Sequence, residues 1–441
     1  MTLPEYISRA ITLLENAGFA AYAVGGCVRD SLLGLTPADY DLCTDALPEQ
    51  IQHVFSGFPL VLTGLKHGTV AVVTDHGLIE ITTFRTEGAY DDSRHPGWVR
   101  FVRSIEDDLS RRDFTVNAMA YSPSRGFADP FGGRKDLQAG ILRCVGDPHA
   151  RFTEDALRIL RGVRFSVRYR LALEPATREA MFCLAPLLDK LARERVFDEL
   201  CKLLPFLSAD DLITFTPILT QVIPELAPCV GFAQHSPYHS YDVYTHTAHV
   251  VAAVPPDPVL RLAALMHDVG TPDNYCPDDA GGGHFPEHAS VSAGMADTIL
   301  RRLRASNELR QRVVSLIRHH MTPLTPERKL LRRRLSRYGR SGVLDLLALQ
   351  RADHSSKGTD RDMLSFDQIE AALSQLLAGE ACFTQKDLAI NGRDLIAVGF
   401  SPGKQLGACL QALFEQVLEE TLPNEKDTLL EAAKRFRHDN T

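Results

Sequence analysis

Two aspartates separated by one residue, Asp39 and Asp41, lie in the segment VGGCVRDSLLGLTPADYDLCT at positions 24–44. On a strand, a spacing of two turns both carboxylates to one face. Side by side they repel, and burying them unpaired is costly. A divalent cation removes both penalties, and Mg²⁺ in particular prefers oxygen donors completed by substrate phosphates. Upstream, Gly25-Gly26 and Arg29 suit a turn whose amides approach a phosphate while a guanidinium clamps it. The spacing alone also describes a surface Asp-x-Asp turn; the glycine pair and Arg29-Asp30 beside it favour the metal–phosphate reading. Glu80, in the alternating run LIEITTF, is a candidate third carboxylate or else an exposed strand residue. Such a set could hold a divalent cation against a substrate phosphate, the setting of metal-assisted phosphate chemistry.

The elements that must carry these groups are legible in outline. Alternation through VAVVTDHGLIEITTFR predicts a β-hairpin around Asp75-His76-Gly77. Helical and strand patterns alternate at first, then mainly helical periodicity takes over, which predicts a sheet-containing head followed by a helical body. Four segments are expected: 1–145, 146–230, 231–360 and 361–441. The third holds 10 of the 16 histidines. In the fourth, Pro402-Gly403 opens a helix that could offer amides to a phosphate or simply start without a ligand.

Residues 24–44 resemble the nucleotidyltransferase signature of bacterial tRNA nucleotidyltransferases, the CCA-adding family, and of their poly(A) polymerase relatives. RRDFTVNAMA (111–120) resembles the family's ribose-contacting motif, DPFGGRKDL (129–137) its hinge-like motif, and RFTEDALRILRGVRF (151–165) its nucleotide-templating helix. The resemblance implies an α+β fold: a polymerase-β-like head with a mixed sheet and helices, then an all-α neck, body and tail. It implies a two-metal Mg²⁺ site on Asp39 and Asp41, with Gly26, Arg29 and Arg112 holding triphosphate. Asp113 would accept from a ribose 2′-hydroxyl, or serve as a helix N-cap.

A helix starting near Thr153 would place Asp155 and Arg158 one turn apart on one side, with Arg161 and Arg164 continuing the stripe. An acceptor beside donors matches the amine and ring nitrogen on the pairing edges of C and A. G and U would leave Asp155 facing a carbonyl, an unpaired contact that discriminates strongly. A plain i,i+3 surface ion pair is the alternative for such a pair in isolation. Glu154 is expected to support Arg158 or the helix start rather than touch nucleotide. The resemblance thus implies addition of C, C and A to tRNA 3′ ends from CTP and ATP, with tRNA held at acceptor stem and elbow. A poly(A) polymerase, or a partial CC- or A-adding enzyme, is the alternative within the class. The resemblance also implies that the polar stretch RTEGAYDDSRHPGWVRFV (85–102), which contains Trp98, is the loop associated with terminal A addition, which favours complete addition; a plain surface loop is the alternative.

YDVYTHTAHV, LAALMHDVG, GHFPEHASVSA, IRHHM and RADHSSKG resemble an HD-type metal domain. His246, His267, Asp268, His288 and Asp353 are its expected ligands, with His284, His319 and His320 as further candidates. Imidazole with carboxylate suits a divalent transition metal able to activate water. Thr271 stands where HD sequences often carry Lys, which argues against a phosphohydrolase acting on RNA ends.

The chain has 441 residues, 44% hydrophobic and 24% charged, with net charge −8. That composition excludes disordered, collagenous and membrane classes. Nine scattered cysteines without a C-x-x-C pair predict a reducing, cytoplasmic setting. The amino terminus, with Glu5 and Glu15 among apolar residues, reads as an amphipathic helix rather than a signal peptide. The acidic average discourages a nucleic-acid partner, but it hides basic strips. Residues 301–340 hold 13 Lys and Arg against 2 acids, and 151–170 hold 6 Arg against 2. RNA is therefore expected along a few helices. Oligomeric state is not predicted.

Overall fold

The computed structural model describes residues 1–88, 99–233, 240–277, 283–357, 363–379 and 382–439. The chain forms two compact units, one of residues 1–207 with 211–224, the other of 208–210 with 225–441. The changeover therefore falls near the end of the second expected segment.

In the first unit the head runs α1 (Glu5–Asn16), β1 (Ala21–Val24), α2 (Gly26–Leu32), β2 (Asp41–Thr44), α3 (Pro48–Val54), β3 (Leu60–Val61), β4 (Thr69–Thr74) and β5 (Gly77–Thr83). It continues through β6 (Arg85–Glu87), β7 (Val99–Phe101), α4 (Ile105–Ser110), β8 (Ala120–Ser122), β9 (Gly126–Ala128), α5 (Gly133–Ala139) and β10 (Ile141–Leu142). Helices then dominate: α6 (Pro148–Glu154), α7 (Leu157–Tyr169), α8 (Pro175–Cys183), α9 (Arg193–Leu203), α10 (Ala209–Thr214) and α11 (Thr216–Val222), with a short β11 (Ala172–Leu173) pairing β10.

The main sheet has seven strands in the order β3-β4-β5-β2-β1-β8-β9. Only β2 and β5 run parallel; the other pairs are antiparallel, so the sheet is mixed as expected. Helix α1 buries Ile7, Ala10, Ile11 and Leu14, the spacing of one apolar helical face. β4 and β5 form the hairpin read from the sequence, turning at Asp75-His76. Along β5, Ile79, Ile81 and Thr83 are buried while Leu78 and Glu80 are exposed. One face of the strand thus packs on the core and the other presents Glu80. β6 and β7 pair antiparallel and close the stretch at 85–102, whose interior, with Trp98, lies outside the described residues.

The DPFGGRKDL segment is a clamp. Asp129 accepts from the amides of Gly133 (2.6 Å) and Arg134 (3.0 Å). Asp136 accepts from the Thr115 hydroxyl at 2.8 Å and from Arg143. A Cβ on Gly133 would lie 2.1 Å from the Thr115 carbonyl oxygen, so only glycine permits this approach.

The second unit is almost wholly helical: α12 (Val243–Ala253), α13 (Pro258–Met266), α14 (His288–Arg302), α15 (Asn307–His319), α16 (Arg328–Ser355), α17 (Leu364–Ala378), α18 (Gly392–Ala397), α19 (Lys404–Leu418) and α20 (Lys426–Asp439). The short strands β12 (Cys276–Pro277) and β13 (Gly283–His284) pair antiparallel. Gly339 takes φ 71° and ψ 171° and kinks α16. No helix among the described residues is long and apolar enough to cross a membrane.

The basic strip at 301–340 is largely spent on its own unit. Arg302 binds Glu225, and Arg301 and Arg310 bind Asp297. Arg312 binds Asp345, while Arg328, Lys329 and Arg333 bind Glu420 or Glu419. Buried Arg332 donates to the carbonyls of Val417 and Leu418, both at 2.9 Å, and so closes the end of α19.

Candidate active site and histidine cluster

The carboxylate pair is arranged differently from the expectation of two aspartates within one strand. β2 starts at Asp41, and Asp39 precedes it. The ladder explains this. β1 pairs with β2 only as far as Ala23 opposite Leu42, because Gly25 turns the chain into α2. On the other side, pairing with β5 begins with Asp41 opposite Glu80, in the ordinary parallel register. Glu80 therefore lies directly across from Asp41. Asp41 reaches the surface, but the protein atoms packed around its carboxyl strip water from it and push it up to about 6, the charges of Asp39 and Glu80 adding to this and Arg112 opposing. The charges of Asp39 and Glu80 beside Asp41 make an environment shaped for a cation.

Gly25 has φ 77°, and a Cβ there would lie 2.7 Å from Arg112 Nη1. Glycine thus lets Arg112 lie against the turn. Arg112 also lies 3.6 Å from Asp108. Arg29 is placed otherwise than a free phosphate clamp would be. It is buried, donating to Asp30 at 2.8 Å, to Asn117, and to the Tyr169 hydroxyl at 2.6 Å. Its guanidinium also lies 4.3 Å from the Tyr169 ring centre, so it bolts the Gly25-Gly26 turn to α7.

Asp113 does not cap an α-helix. Its Oδ1 accepts from the Phe114 amide (2.9 Å) and Asn117 Nδ2 (3.0 Å), and its Oδ2 from Arg161 Nε (2.8 Å). Burial would raise its pKa, but Arg161, the Asn117 hydrogen bond and Arg158 outweigh it and hold the carboxyl at about 2.

The expectation that Asp155 and Arg158 share one helix is corrected. The helix breaks at Asp155, with φ −142° and ψ 101°. Its Oδ1 accepts from the Leu157 amide at 3.1 Å, so the aspartate restarts the chain as α7, the end-capping role for which this side chain is suited. The two residues also have different partners. Asp155 Oδ2 accepts from Arg195 at 2.8 Å. Arg158 donates to Glu154 at 2.8 Å, as expected for Glu154, and to the carbonyls of Arg151 and Arg111, each at 3.1 Å. Farther along, Arg161 is tied to Asp113 and buried Arg164 to Glu199. Each arginine that sequence reasoning placed on this stripe is thus held by a carboxylate. Arg195 was missed; lying 40 residues beyond Asp155, it gave no local signal.

In the second unit, His246, His267, Asp268, His288 and Asp353 come together, joined by His320. His246 Nε2 lies 3.0 Å from Asp353 Oδ1, and His267 Nε2 lies 3.3 Å from Asp268 Oδ2. His288 and His320 face Asp268 Oδ1 at 3.6 and 3.9 Å. All four Nδ1 atoms meet backbone carbonyls: Ser356, Ala264, Phe285 and Ile317, at 3.2, 2.8, 2.9 and 2.7 Å. Donation there leaves each Nε2 a lone-pair nitrogen, the arrangement used by metal-binding imidazoles. Burial alone would lower the pKa of His267, but Asp268 and Asp353 push it up to about 9, so without a cation its Nε2 holds a proton that a metal would displace. His284 lies in β13 and His319 against the Tyr338 ring, outside these groupings.

Family comparisons accord with this division. The poly(A) polymerase head-domain model matches residues 21–143, and the RNA- and SrmB-binding-site model of polymerase A matches 170–229. The second-domain model of tRNA nucleotidyltransferases matches 288–433. A CCA-adding enzyme of Streptococcus pyogenes serotype M4 is 35% identical over 438 residues, 97% of each chain. The chain belongs to the CCA-adding enzyme family. A Levilactobacillus brevis CCA-adding enzyme is 36% identical, covering 98% of both chains. The crystal structure of the Bacillus stearothermophilus CCA-adding enzyme in complex with CTP aligns over 100% of both chains, with TM-score 0.67 and 30% identity. The Thermotoga maritima CCA-adding enzyme complexed with tRNA shares the fold, with TM-score 0.55 and 19% identity. This family member is thus a nucleotidyltransferase, and its class of chemistry uses divalent metal.

Proposed function

We propose that this nucleotidyltransferase adds or repairs the 3′-terminal CCA of tRNA, using CTP and ATP and releasing pyrophosphate. The observation that carries the reading is Asp41 opposite Glu80, with the charge of Asp39 upon it and Arg112 at the neighbouring glycine turn. Asp39 and Asp41, with Glu80, would hold Mg²⁺. When bound, Mg²⁺ lowers the pKa of the RNA 3′-hydroxyl and neutralises the departing pyrophosphate. Gly26 and Arg112 would receive triphosphate, and Arg29 would fix their turn against α7 or turn outward to join them. Asp113 would face ribose while orienting Arg161. Asp155 and Arg158 would read the amine and ring nitrogen of C and A, each kept in place by a partner of opposite charge. Arg164 would brace α7 through Glu199. Head, neck, HD-type segment and tail would occupy 1–145, 146–230, 231–360 and 361–441, with acceptor stem and elbow of tRNA along the helical part. The substrates and the nine unpaired cysteines fit a cytoplasmic setting.

In a second reading, favoured by the four backbone-tied imidazoles, His246, His267, Asp268, His288 and Asp353 hold a divalent transition metal. The function is tested by extending tRNA transcripts that end at the discriminator base, at C or at CC, offering each nucleotide alone. The expected pattern is C, then C, then A, with no reaction of G or U. Long A tails, or arrest after CC, would replace this reading with one of the alternatives within the class.

A further inference from the structure

Asn117 ends the short turn Thr115–Asn117 and is buried between the glycine turn of α2 and the templating helix α7. Its side-chain amide has two neighbours of opposite need. Arg29 Nη1 donates to Asn117 Oδ1, and Asn117 Nδ2 donates to Asp113 Oδ1 at 3.0 Å. A guanidinium has only hydrogens to give, and an ionised carboxylate only lone pairs. Asp113 stays ionised, its pKa held at about 2 against burial by Arg161 and by this bond. An amide answers both neighbours at once, and its orientation is thereby fixed. A carboxylate in its place would have no hydrogen for Asp113, and an alkyl group nothing for either.

The contacts run on from both ends of this amide and meet on one helix. Arg29 continues to Asp30 at 2.8 Å and to the Tyr169 hydroxyl at 2.6 Å. Asp113 continues through Oδ2 to Arg161 Nε at 2.8 Å. Arg161 and Tyr169 lie about two turns apart on α7. The backbone closes the frame, since the Gly25 amide donates to the Met119 carbonyl at 3.0 Å and a Cβ on Gly25 would lie 3.6 Å from the Asn117 carbonyl oxygen. On its other side the same turn is gripped at Thr115 by Gly133 and Asp136. Without the Asn117 donor, Asp113 Oδ1 keeps only the Phe114 amide, and Arg161 can draw the carboxylate towards α7.

We propose that Asn117 is a positioning residue for nucleotide selection. Its amide couples the glycine turn that receives triphosphate to the carboxylate that faces ribose. It acts through Arg29 and Asp113, so that a nucleotide is held tightly when phosphate and 2′-hydroxyl are both in place. The proposal rests on reading the head as the CTP and ATP site and adds the residue that ties ribose preference to triphosphate placement.

Wild type, Asn117→Asp and Asn117→Leu, each checked for folding by circular dichroism, are compared in adding one C from CTP or dCTP to a tRNA transcript ending at the discriminator base. Asn117→Asp keeps the acceptor for Arg29 and loses the donor to Asp113. It should cut the preference for CTP over dCTP by about tenfold and change the KM for dCTP by less than about twofold. Asn117→Leu loses both bonds and should also raise the KM for dCTP by about tenfold. Tyr169→Phe, which removes only the hydroxyl that accepts from Arg29, should raise the KM for both nucleotides by about threefold and leave the preference unchanged. An unchanged preference in Asn117→Asp, or equal losses with CTP and dCTP, overturns the role of Asn117. A wild-type KM for dCTP in Asn117→Leu overturns its link to the glycine turn. If neither Asn117 variant folds, Tyr169→Phe decides, and an unchanged KM there overturns the coupling. A wild type that adds no C overturns the functional reading instead.

Discussion

Asp41 and Glu80 face each other from neighbouring strands with their surfaces open, whereas Asp268 is buried among imidazoles whose second nitrogens are already tied to the backbone. The difference lies in what completes each site. In the head, three carboxylates raise the pKa of one of their number, and the remaining donors must come with the substrate, as befits a cation that retains phosphate and water ligands. In the second unit the donors are together before any ligand arrives, so the proposed metal affinity would be built into the fold. The open site suits an ion that enters and leaves with each nucleotide, the closed one an ion that stays.

The largest expected effect separates the two centres. Asp41→Ala should reduce nucleotide addition by about a thousandfold or more, roughly 4 kcal/mol of transition-state stabilisation. RNA binding and the metal content of the cluster should stay unchanged; substantial residual addition would remove Asp41 from the chemistry. Next is base choice. Arg158→Ala should cost about a hundredfold in discrimination of C and A from U and G. Arg195→Ala, acting through Asp155, should cost about tenfold, and restoration of that loss by Arg195→Lys would identify a positioning charge. Unaltered selectivity in Arg158→Ala would reject the template.

A smaller effect tests the arginine–carboxylate lattice. Asp113 ionises below the ordinary carboxylate range, so its charged form stabilises the fold above the unfolded pKa near 3.8, and this is lost as pH falls towards about 2. Asp113→Asn should therefore lower stability by about 2 kcal/mol near neutral pH, with the gap to wild type closing on acidification between about pH 5 and pH 2. A gap independent of pH would deny the ionic origin. The smallest effect lies on the surface: Glu419→Gln, which removes the partner of Lys329 and Arg333, should leave the melting curve almost superimposable on that of wild type.

What the sequence made visible was what local chemistry determines. The hairpin at Asp75-His76 follows from alternation, and the turn at Gly25 from the glycine pair. The break at Asp155 was hidden because an aspartate suits both a helix surface and a cap, and the choice is made by the Leu157 amide in three dimensions. Arg195 and Glu199 entered through tertiary contacts with α7. The adjacent histidines His319 and His320 could not be told apart by type. The end of α15 turns one towards Asp268 and the other towards Tyr338. In the basic strip at 301–340, acids from other parts of the chain pair with much of the charge, a feature that a count along the sequence does not show.

The independence of the two centres is tested most directly by CCA addition to a tRNA transcript lacking its last three nucleotides. Wild type, Asp41→Asn and His267→Ala would be compared after circular dichroism has shown equal folding. Complete, ordered addition by wild type and His267→Ala, with none by Asp41→Asn, is the predicted result; loss of addition in folded His267→Ala would contradict it.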